Sequence, residues 1–359
     1  MQNRLWDGIK RDRLVWIGDM HPETLGILNL YGAHPLVEKG LAESAERNPI
    51  PNWISSIPSY SVWWIAILCD YVFYTGDWNF AISWLDYANG IIKMLDECVS
   101  DCGELDYKNG NNIFINWESE DDPDKNSGNR GLIIWALKKY SDMLERHGLK
   151  TDLAKNIVLR LFKNKKITSK NKSVAVLYYL GYGLTEEVKE LFSNDVLSGL
   201  SPFMSYYMAS VILKCTDCST ALNALTEFYS GMLSRGATSF WEAFDLDWLK
   251  DSGRIDELPK SGDLDIHSAF GKYCYTGYRL SLCHGWACGP INFIKEYILG
   301  IKVLEEGCKT IKISPNLCGL KWCKGVFPTP YGNVKISLKE ENGQISAEID
   351  APKEIKIVG

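Results

Sequence analysis

The chain has 359 residues, 46% hydrophobic and 23% charged, an ordinary globular balance with ample material for a core. A net charge of −6 and the lack of any basic stripe exclude nucleic acid and an anionic membrane surface as partners. With no apolar leader after Met1 and no run of about 18 apolar residues, the sequence reads as a cytoplasmic protein with reduced thiols.

The first feature in chain order is "DGIKRDRLVWIGD", Asp7 to Asp19. Three carboxylates and three cations surround an apolar centre that includes Trp16. Charge that is even half-buried needs partners, so the stretch is either a salt-bridged core edge or a place where carboxylates do chemistry. Helical spacing then dominates to about residue 300. Phe80, Trp84, Leu85, Ala88, Ile92 and Leu95 recur at three- and four-residue steps, as do Leu132, Ile133, Ala136, Leu137, Tyr140 and Leu144. The second of these runs stops at His147-Gly148. Further helices are expected near 22–33, 58–75, 151–163, 171–181, 203–214, 219–233 and 281–299. Short turns separate them without a clear sequence repeat, and a ring of paired helices fits better than a solenoid.

Residues 103–127 break the helical pattern. Asn109-Gly110 signals a turn, and the acidic run Glu118 to Asp124 reads as an exposed loop. The eleven cysteines have no regular spacing. Cys215 and Cys218 form a lone CxxC with no second pair and no histidine cluster, so they read as ordinary helix-end cysteines and no metal site is expected. From about 306 the period changes to two. Val334, Ile336 and Leu338 alternate with polar residues, Asn342-Gly343 follows, and Ile345, Ala347 and Ile349 alternate again. This is a β-hairpin signature, in an all-β module whose last strand is "EIKIVG".

Thirteen Trp and eighteen Tyr are more rings than packing usually requires. They suit either a sugar-binding cleft or an aromatic helical core. Three further groupings set a ring beside a titratable group: Trp117 with Glu118, Trp241 with Glu242 (and Asp245 three residues on), and His284 near Trp286. Each has a plain alternative, Glu242 as a first-turn helix carboxylate and His284 as a core histidine among them. Glycoside hydrolysis needs an acid and a carboxylate across an aromatic-lined cleft. Asp12 and Glu242 are far enough apart in sequence to stand on opposite walls of a ring.

The opening stretch resembles the catalytic motif of bacterial α-L-rhamnosidases, glycoside hydrolase family 78, of the six-hairpin class. Asp7, Arg11, Asp12, Arg13, Trp16, Gly18 and Asp19 stand in step with it. "SFWEAFD", "SLCHGWACGP" and "GVFPTPYGNVKIS" resemble later family segments in the same order, so the resemblance covers nearly the whole chain. It implies a mainly α fold, an (α/α)6 barrel over 1–305 lacking its first helix, followed by a small antiparallel β-sandwich over 306–359. It implies inverting exo-hydrolysis of terminal α-L-rhamnosyl residues, with Asp12 as general acid and Glu242 as general base. Asp7 and Asp19 would bind sugar hydroxyls, Trp16, Trp117 and Trp241 would be ring platforms, and His284 a further polar contact. Like charges at Asp7 and Asp19 would keep the acid protonated, while Arg11 and Arg13 would oppose this if they point inward. The resemblance implies no cofactor and a rhamnoside as the partner molecule.

Two departures bear on function. The family's acid is Glu, and Asp12 is shorter by one methylene. The chain also begins almost at the motif, where the family carries upstream domains. A separately encoded N-terminal piece, or self-association, is the expected complement. The other readings are a non-catalytic sugar-binding remnant and a glycoside phosphorylase, which would not need Glu242.

Overall fold

The computed structural model describes residues 4–107, 113–258, 260–272 and 275–359. The Asn109-Gly110 turn lies outside these residues. Eleven α-helices are found among the described residues: α1 Ile17–Leu30, α2 Pro35–Arg47, α3 Pro58–Thr75, α4 Trp78–Cys98, α5 Lys125–Arg146, α6 Asp152–Leu161, α7 Lys172–Tyr182, α8 Glu186–Ser193, α9 Ser205–Cys215, α10 Cys218–Ser234 and α11 Gly289–Phe293.

Local chemistry sets several boundaries. Pro58 opens α3, where its missing N–H costs nothing, and Gly76 closes it at φ 73°. Asp77 caps α4 by accepting from the Phe80 N–H at 3.0 Å, and Asp217 caps α10 by accepting from the Thr220 N–H at 2.9 Å.

The odd-numbered helices form an inner layer. α1, α3, α5, α7, α9 and α11 touch in sequence, and α11 returns to α1. Helix α3 is buried from Pro58 to Val72, as a helix enclosed on all sides must be. The even-numbered helices bury one stripe each. In α4 only Ala81, Ala88, Ile91, Ile92 and Leu95 are buried. Close approach of α5 to α7 requires glycine: a Cβ on Gly131 would lie 2.2 Å from the Leu177 carbonyl oxygen.

Two of these helices, α2 and α8, were not expected from the periodicity. The expected helix over 281–299 is the main correction. Only Gly289–Phe293 is α-helical, followed by a π turn at Ile294–Ile298. Residues 281–284 form no helix and Gly285–Ala287 makes a 3-10 turn, because the backbone bonds of this stretch cross to other segments. Ser281 O accepts from Glu242 N at 2.9 Å, His284 N donates to Phe240 O at 2.9 Å, and Gly285 N donates to Asp7 O at 2.9 Å.

The β-module begins earlier than 306, with β1 at Ile301–Val303. It continues with β2 Thr310–Ile313, β3 Trp322–Thr329, β4 Gly332–Glu341, β5 Gln344–Asp350 and β6 Lys356–Val358. The expected hairpin is β4–β5, with Glu341 opposite Gln344 and positive φ at Asn342 and Gly343. The module is not wholly antiparallel. One sheet is β3-β4-β5, and the other is β1-β2-β6, in which β6 runs parallel to β2. β4 buries Val334, Ile336 and Leu338, whereas every residue of β5 is exposed.

A disulfide joins Cys218, the first residue of α10, to Cys318 in the β-module, with the Cα atoms 5.2 Å apart. The expectation of reduced thiols therefore fails at this pair, which tertiary folding alone brings together. No helix among the described residues is long and apolar enough to cross a membrane.

Candidate active site

Residues preceding the inner helices converge on one cavity of about 330 Å³. The segment before α1 brings Asp7, Arg11, Asp12 and Trp16, and α1 itself brings Asp19. Trp117 comes from the turn before α5, Glu242 from a bend in the irregular segment after α10, and His284, itself extended, from the stretch before α11. Seven of the eight expected site residues thus line the same space.

Trp241 is the exception. It is fully buried, and its ring packs at 5.6 Å against Phe244. Glu242 lies at a bend of the irregular segment after α10, and there its side chain lines the cavity while Trp241 lies in the core. It is not a ring platform. The rings that do wall the cavity form a run of edge contacts: Trp16 to Tyr60 at 6.0 Å, Tyr60 to Phe114 at 6.1 Å, and Phe114 to Trp117 at 5.0 Å. Tyr60 and Phe114 carried no local signal beyond their aromaticity. Trp286, a further lining residue, was flagged only as a neighbour of His284; its indole N–H donates to the Glu242 carbonyl oxygen at 2.9 Å.

The backbone around the carboxylates is pinned from several directions. Lys10 Nζ donates to Leu280 O at 2.7 Å and Arg11 Nε to Arg279 O at 2.9 Å, locking the opening segment onto residues 279–280. Asp7 Oδ1 accepts from the Leu14 N–H at 3.0 Å. Asp12 and Arg13 both have left-handed φ values, 53° and 54°. Two successive non-glycine residues in this region are strained, and such strain persists where the surroundings impose it. A Cβ on Gly8 would stand 2.8 Å from His284 Nδ1, so only glycine allows the two segments to approach.

Arg11 points inward. One guanidinium nitrogen lies 2.8 Å from Asp12 Oδ2, and the other is bonded to Glu242 Oε1. The two carboxylates are therefore separated by no more than one guanidinium with a hydrogen bond on either side. Arg13 points away and donates to Ile9 O at 3.0 Å.

Glu242 is buried, and its Oε2 accepts from the Ser281 N–H at 2.9 Å. Burial raises its proton affinity, while His284, Arg11 and the Ser281 N–H oppose that shift without cancelling it. His284 Nε2 donates to Asp19 Oδ1 at 2.9 Å and stands 4.0 Å from Glu242 Oε1. Burial alone would lower the histidine's pKa, but the hydrogen bond to Asp19 and the charges of Asp19, Glu242 and Asp7 raise it. Asp7 is pushed up to about 6 by burial first and by Asp19 second. Glu23, one turn beyond Asp19 on α1, is buried and raised well above the usual carboxylate range, mainly by desolvation. The shifts at Asp7, Glu242 and the neighbouring Glu23 are all upward, because each carboxyl is taken out of water.

Residues 300–357 match the model of the bacterial alpha-L-rhamnosidase C-terminal domain. No curated protein sequence matches the chain. Among solved structures, the chain is similar to a GH78 family rhamnosidase of Bacillus sp. GL1, with 22% identity and a TM-score of 0.74 over 96% of this chain and 38% of that one. It is also similar to the Streptomyces avermitilis alpha-L-rhamnosidase complexed with L-rhamnose, with 14% identity and a TM-score of 0.75 over 98% of this chain and 35% of that one. A Klebsiella oxytoca rhamnosidase with rhamnose bound matches at 20% identity and a TM-score of 0.62, over 82% of this chain and 60% of that one. The chain thus spans between about a third and three fifths of the length of these proteins. It has their fold, and the family-model match falls on its β-module.

Proposed function

We propose that this chain is the catalytic part of an inverting exo-glycosidase that removes terminal α-L-rhamnosyl residues. The observation that carries the reading is the convergence of Asp7, Asp12, Asp19, Glu242 and His284 on one aromatic-walled cavity. The closed cycle of six inner helices, with an outer helix between each successive pair, is read as an (α/α)6 barrel, with the β-module as its C-terminal domain.

In this reading Asp12 protonates the glycosidic oxygen as the bond to the anomeric carbon breaks. Water attacks that carbon from the opposite face and gives its proton to Glu242. An inverting pair is set about 6.5–9.5 Å apart to leave room for the water, and a guanidinium between the two carboxylates is compatible with that separation. Asp7 and Asp19 bind sugar hydroxyls, and Trp16 and Trp117 present rings to the sugar. His284 orients Asp19 and favours the anionic form of Glu242, which a general base needs. Trp241 has no part in binding.

One observation favours the binding-only reading. Both oxygens of Glu242 are engaged, one by Arg11 and the other by the Ser281 N–H. Arg11 and the Ser281 N–H stabilise the anion and so weaken it as a base, although each oxygen keeps a second lone pair for a water proton. Two assays separate the readings: release of aryl alcohol from aryl α-L-rhamnosides, and calorimetric binding of L-rhamnose. Hydrolysis giving the inverted anomer, seen by proton NMR at early times, supports catalysis. Binding of L-rhamnose without hydrolysis makes the chain a sugar-binding remnant, and a requirement for phosphate makes it a phosphorylase.

A further inference from the structure

A second cavity, of about 400 Å³, opens at the other end of the inner helices. Phe73 and Tyr74 line it from the end of α3, Lys139 and Arg146 from the end of α5, and Tyr179 from the end of α7. The carboxylate cavity lies at the opposite end, where Asp19 and Tyr60 stand in the first turns of α1 and α3. No described residue lines both. Rings fill the space between them. Trp286 of the first cavity stacks on Phe203 at 4.9 Å, Phe203 meets Trp63 at 6.1 Å, and Trp63 meets Trp135 of the second cavity at 5.8 Å.

Most charge around this second cavity is already matched. Asp70 accepts from His21 at 3.0 Å and is paired with Lys139. Glu296 accepts from the Tyr206 hydroxyl, and Arg146 lies 3.4 Å from Glu306. Lys295 differs. It is 7% exposed, and its Nζ donates to the Tyr74 hydroxyl at 2.7 Å without an ion pair to any described carboxylate. An ammonium has three N–H donors, and this is the one used among the described residues. Burial alone would lower its pKa, but Tyr74 and Glu296 raise it, so the group stays charged. A buried ammonium with unused donors is costly, and an anion in the cavity would remove that cost. Lys295, Glu296 and Tyr297 all reach the cavity from the π turn that follows α11, a local form frequent at functional sites. Along the wall Lys139, Arg146, Lys295 and Lys302 outnumber Asp70, Asp142 and Glu296 by one, in a chain of net charge −6. The C-terminal ends of α3, α5 and α7 add partial negative charge, but that effect is confined to their last turns.

We propose that this cavity is a second ligand site, and that it takes a small ring molecule carrying one carboxylate, with the carboxylate on Lys295 and the ring against Phe73, Trp135, Tyr179 and Tyr297. The volume is larger than a bare inorganic anion needs and falls in the ordinary range of small-molecule sites, about 300–1,000 Å³. Rings that form most of the wall give an apolar body something to pack on, and the lysine fixes its orientation. A sugar acid and an aromatic acid share this shape and charge. The proposal is independent of the glycosidase reading, because no residue of the carboxylate cavity takes part in it.

The test is calorimetric, on the full chain, with D-glucuronate, benzoate, their neutral counterparts D-glucose and benzyl alcohol, and inorganic phosphate. At least one acid should bind with a Kd below about 1 mM, and about tenfold or more tighter than its neutral counterpart and than phosphate. Binding of glucuronate alone marks a sugar acid, and of benzoate alone an aromatic one. Excess L-rhamnose should leave the acid bound, since the cavities are separate. Lys295→Met should weaken the acid about tenfold or more while the urea midpoint holds or rises, because replacing a buried charge by an apolar group of similar size is often neutral or stabilising. Ser210→Trp, which fills the cavity from α9, should abolish acid binding, and it decides the matter if Lys295→Met does not fold. The proposal is overturned if neither acid binds, if phosphate binds as tightly, if L-rhamnose displaces the acid, or if both variants bind as the parent does. A lower midpoint for Lys295→Met with acid binding unchanged also overturns it, and makes Lys295 a brace between α3 and the turn after α11.

Discussion

His284 Nε2 lies 2.9 Å from Asp19 Oδ1, joining residues 265 positions apart at the centre of the candidate site. Asp19 sits in the first turn of α1, and His284, itself extended, sits in the stretch before α11. The pair therefore fixes the first inner helix against the last, at the place where the ring closes. It also sets a histidine with a raised pKa 4.0 Å from Glu242.

On the proposed reading, that arrangement would make His284 a positioning residue with a pH signature. His284→Ala should lower kcat on aryl α-L-rhamnosides by about 10²-fold, the usual consequence of a small misplacement of reacting groups. It should also move the acidic limb of the kcat/KM profile to higher pH, because a charge that lowers the pKa of Glu242 is gone. A purely structural role would lower activity without moving that limb.

Asp12 and Glu242 should fail differently when mutated. Asp12→Asn removes the proton donor, so substrates with poor leaving groups should lose about 10²–10⁴ in rate. Dinitrophenyl glycosides need little protonation and should lose far less. Glu242→Gln should slow both kinds alike, and azide should restore turnover in Glu242→Ala by forming a glycosyl azide of inverted configuration. Equal loss of good and poor leaving groups in Asp12→Asn removes Asp12 as the acid.

Stability should depend on pH through Asp7. Its carboxyl rises from 3.8 to about 6 on folding, so the folded chain binds more protons than the unfolded chain between those values. Stability from this group is therefore highest below about pH 4 and falls as pH rises through 6, by on the order of 2 kcal/mol. His284, also raised on folding, acts in the same direction. Asp7→Asn should flatten the fall in urea midpoint measured between pH 4 and 6.

A buried charge network at the middle of the ring should be costly to break. Asp70 on α3 accepts from His21 Nε2 at 3.0 Å and is paired with Lys139 of α5, while His21 Nδ1 lies 2.5 Å from Tyr207 Oη of α9. These partners hold Asp70 down at about 2 although burial alone would raise it. Asp70→Ala leaves Lys139 without its anion and should destabilise the chain by about 3–5 kcal/mol, read from equilibrium denaturant unfolding. The network is remote from Asp12 and Glu242 in sequence and lines a different cavity, so the residual folded fraction should keep its affinity for L-rhamnose.

The sequence by itself determined the local features. Helical period placed α3 at 58–75, and period two with Asn342-Gly343 placed the β4–β5 turn, because both are fixed by hydrophobic spacing and turn stereochemistry over a few residues. The density of charge around Trp16 in Asp7–Asp19 also singled out that stretch as a candidate without a structure. What only tertiary folding decided was direction and long-range pairing. Trp241 and Glu242 are equal candidates in sequence, and the course of the backbone through the bend at Glu242 put one in the core and the other at the cavity. Residues 281–285 have helix-compatible spacing, yet their N–H and C=O groups found better partners in the 240–242 segment and at Asp7. Cys218 at the start of α10 met Cys318 between β2 and β3, and Tyr60 and Phe114 joined the cavity wall only because α3 and the segment before α5 are neighbours in the fold. Such contacts depend on which surfaces the closed ring brings together, and no local spacing rule encodes them.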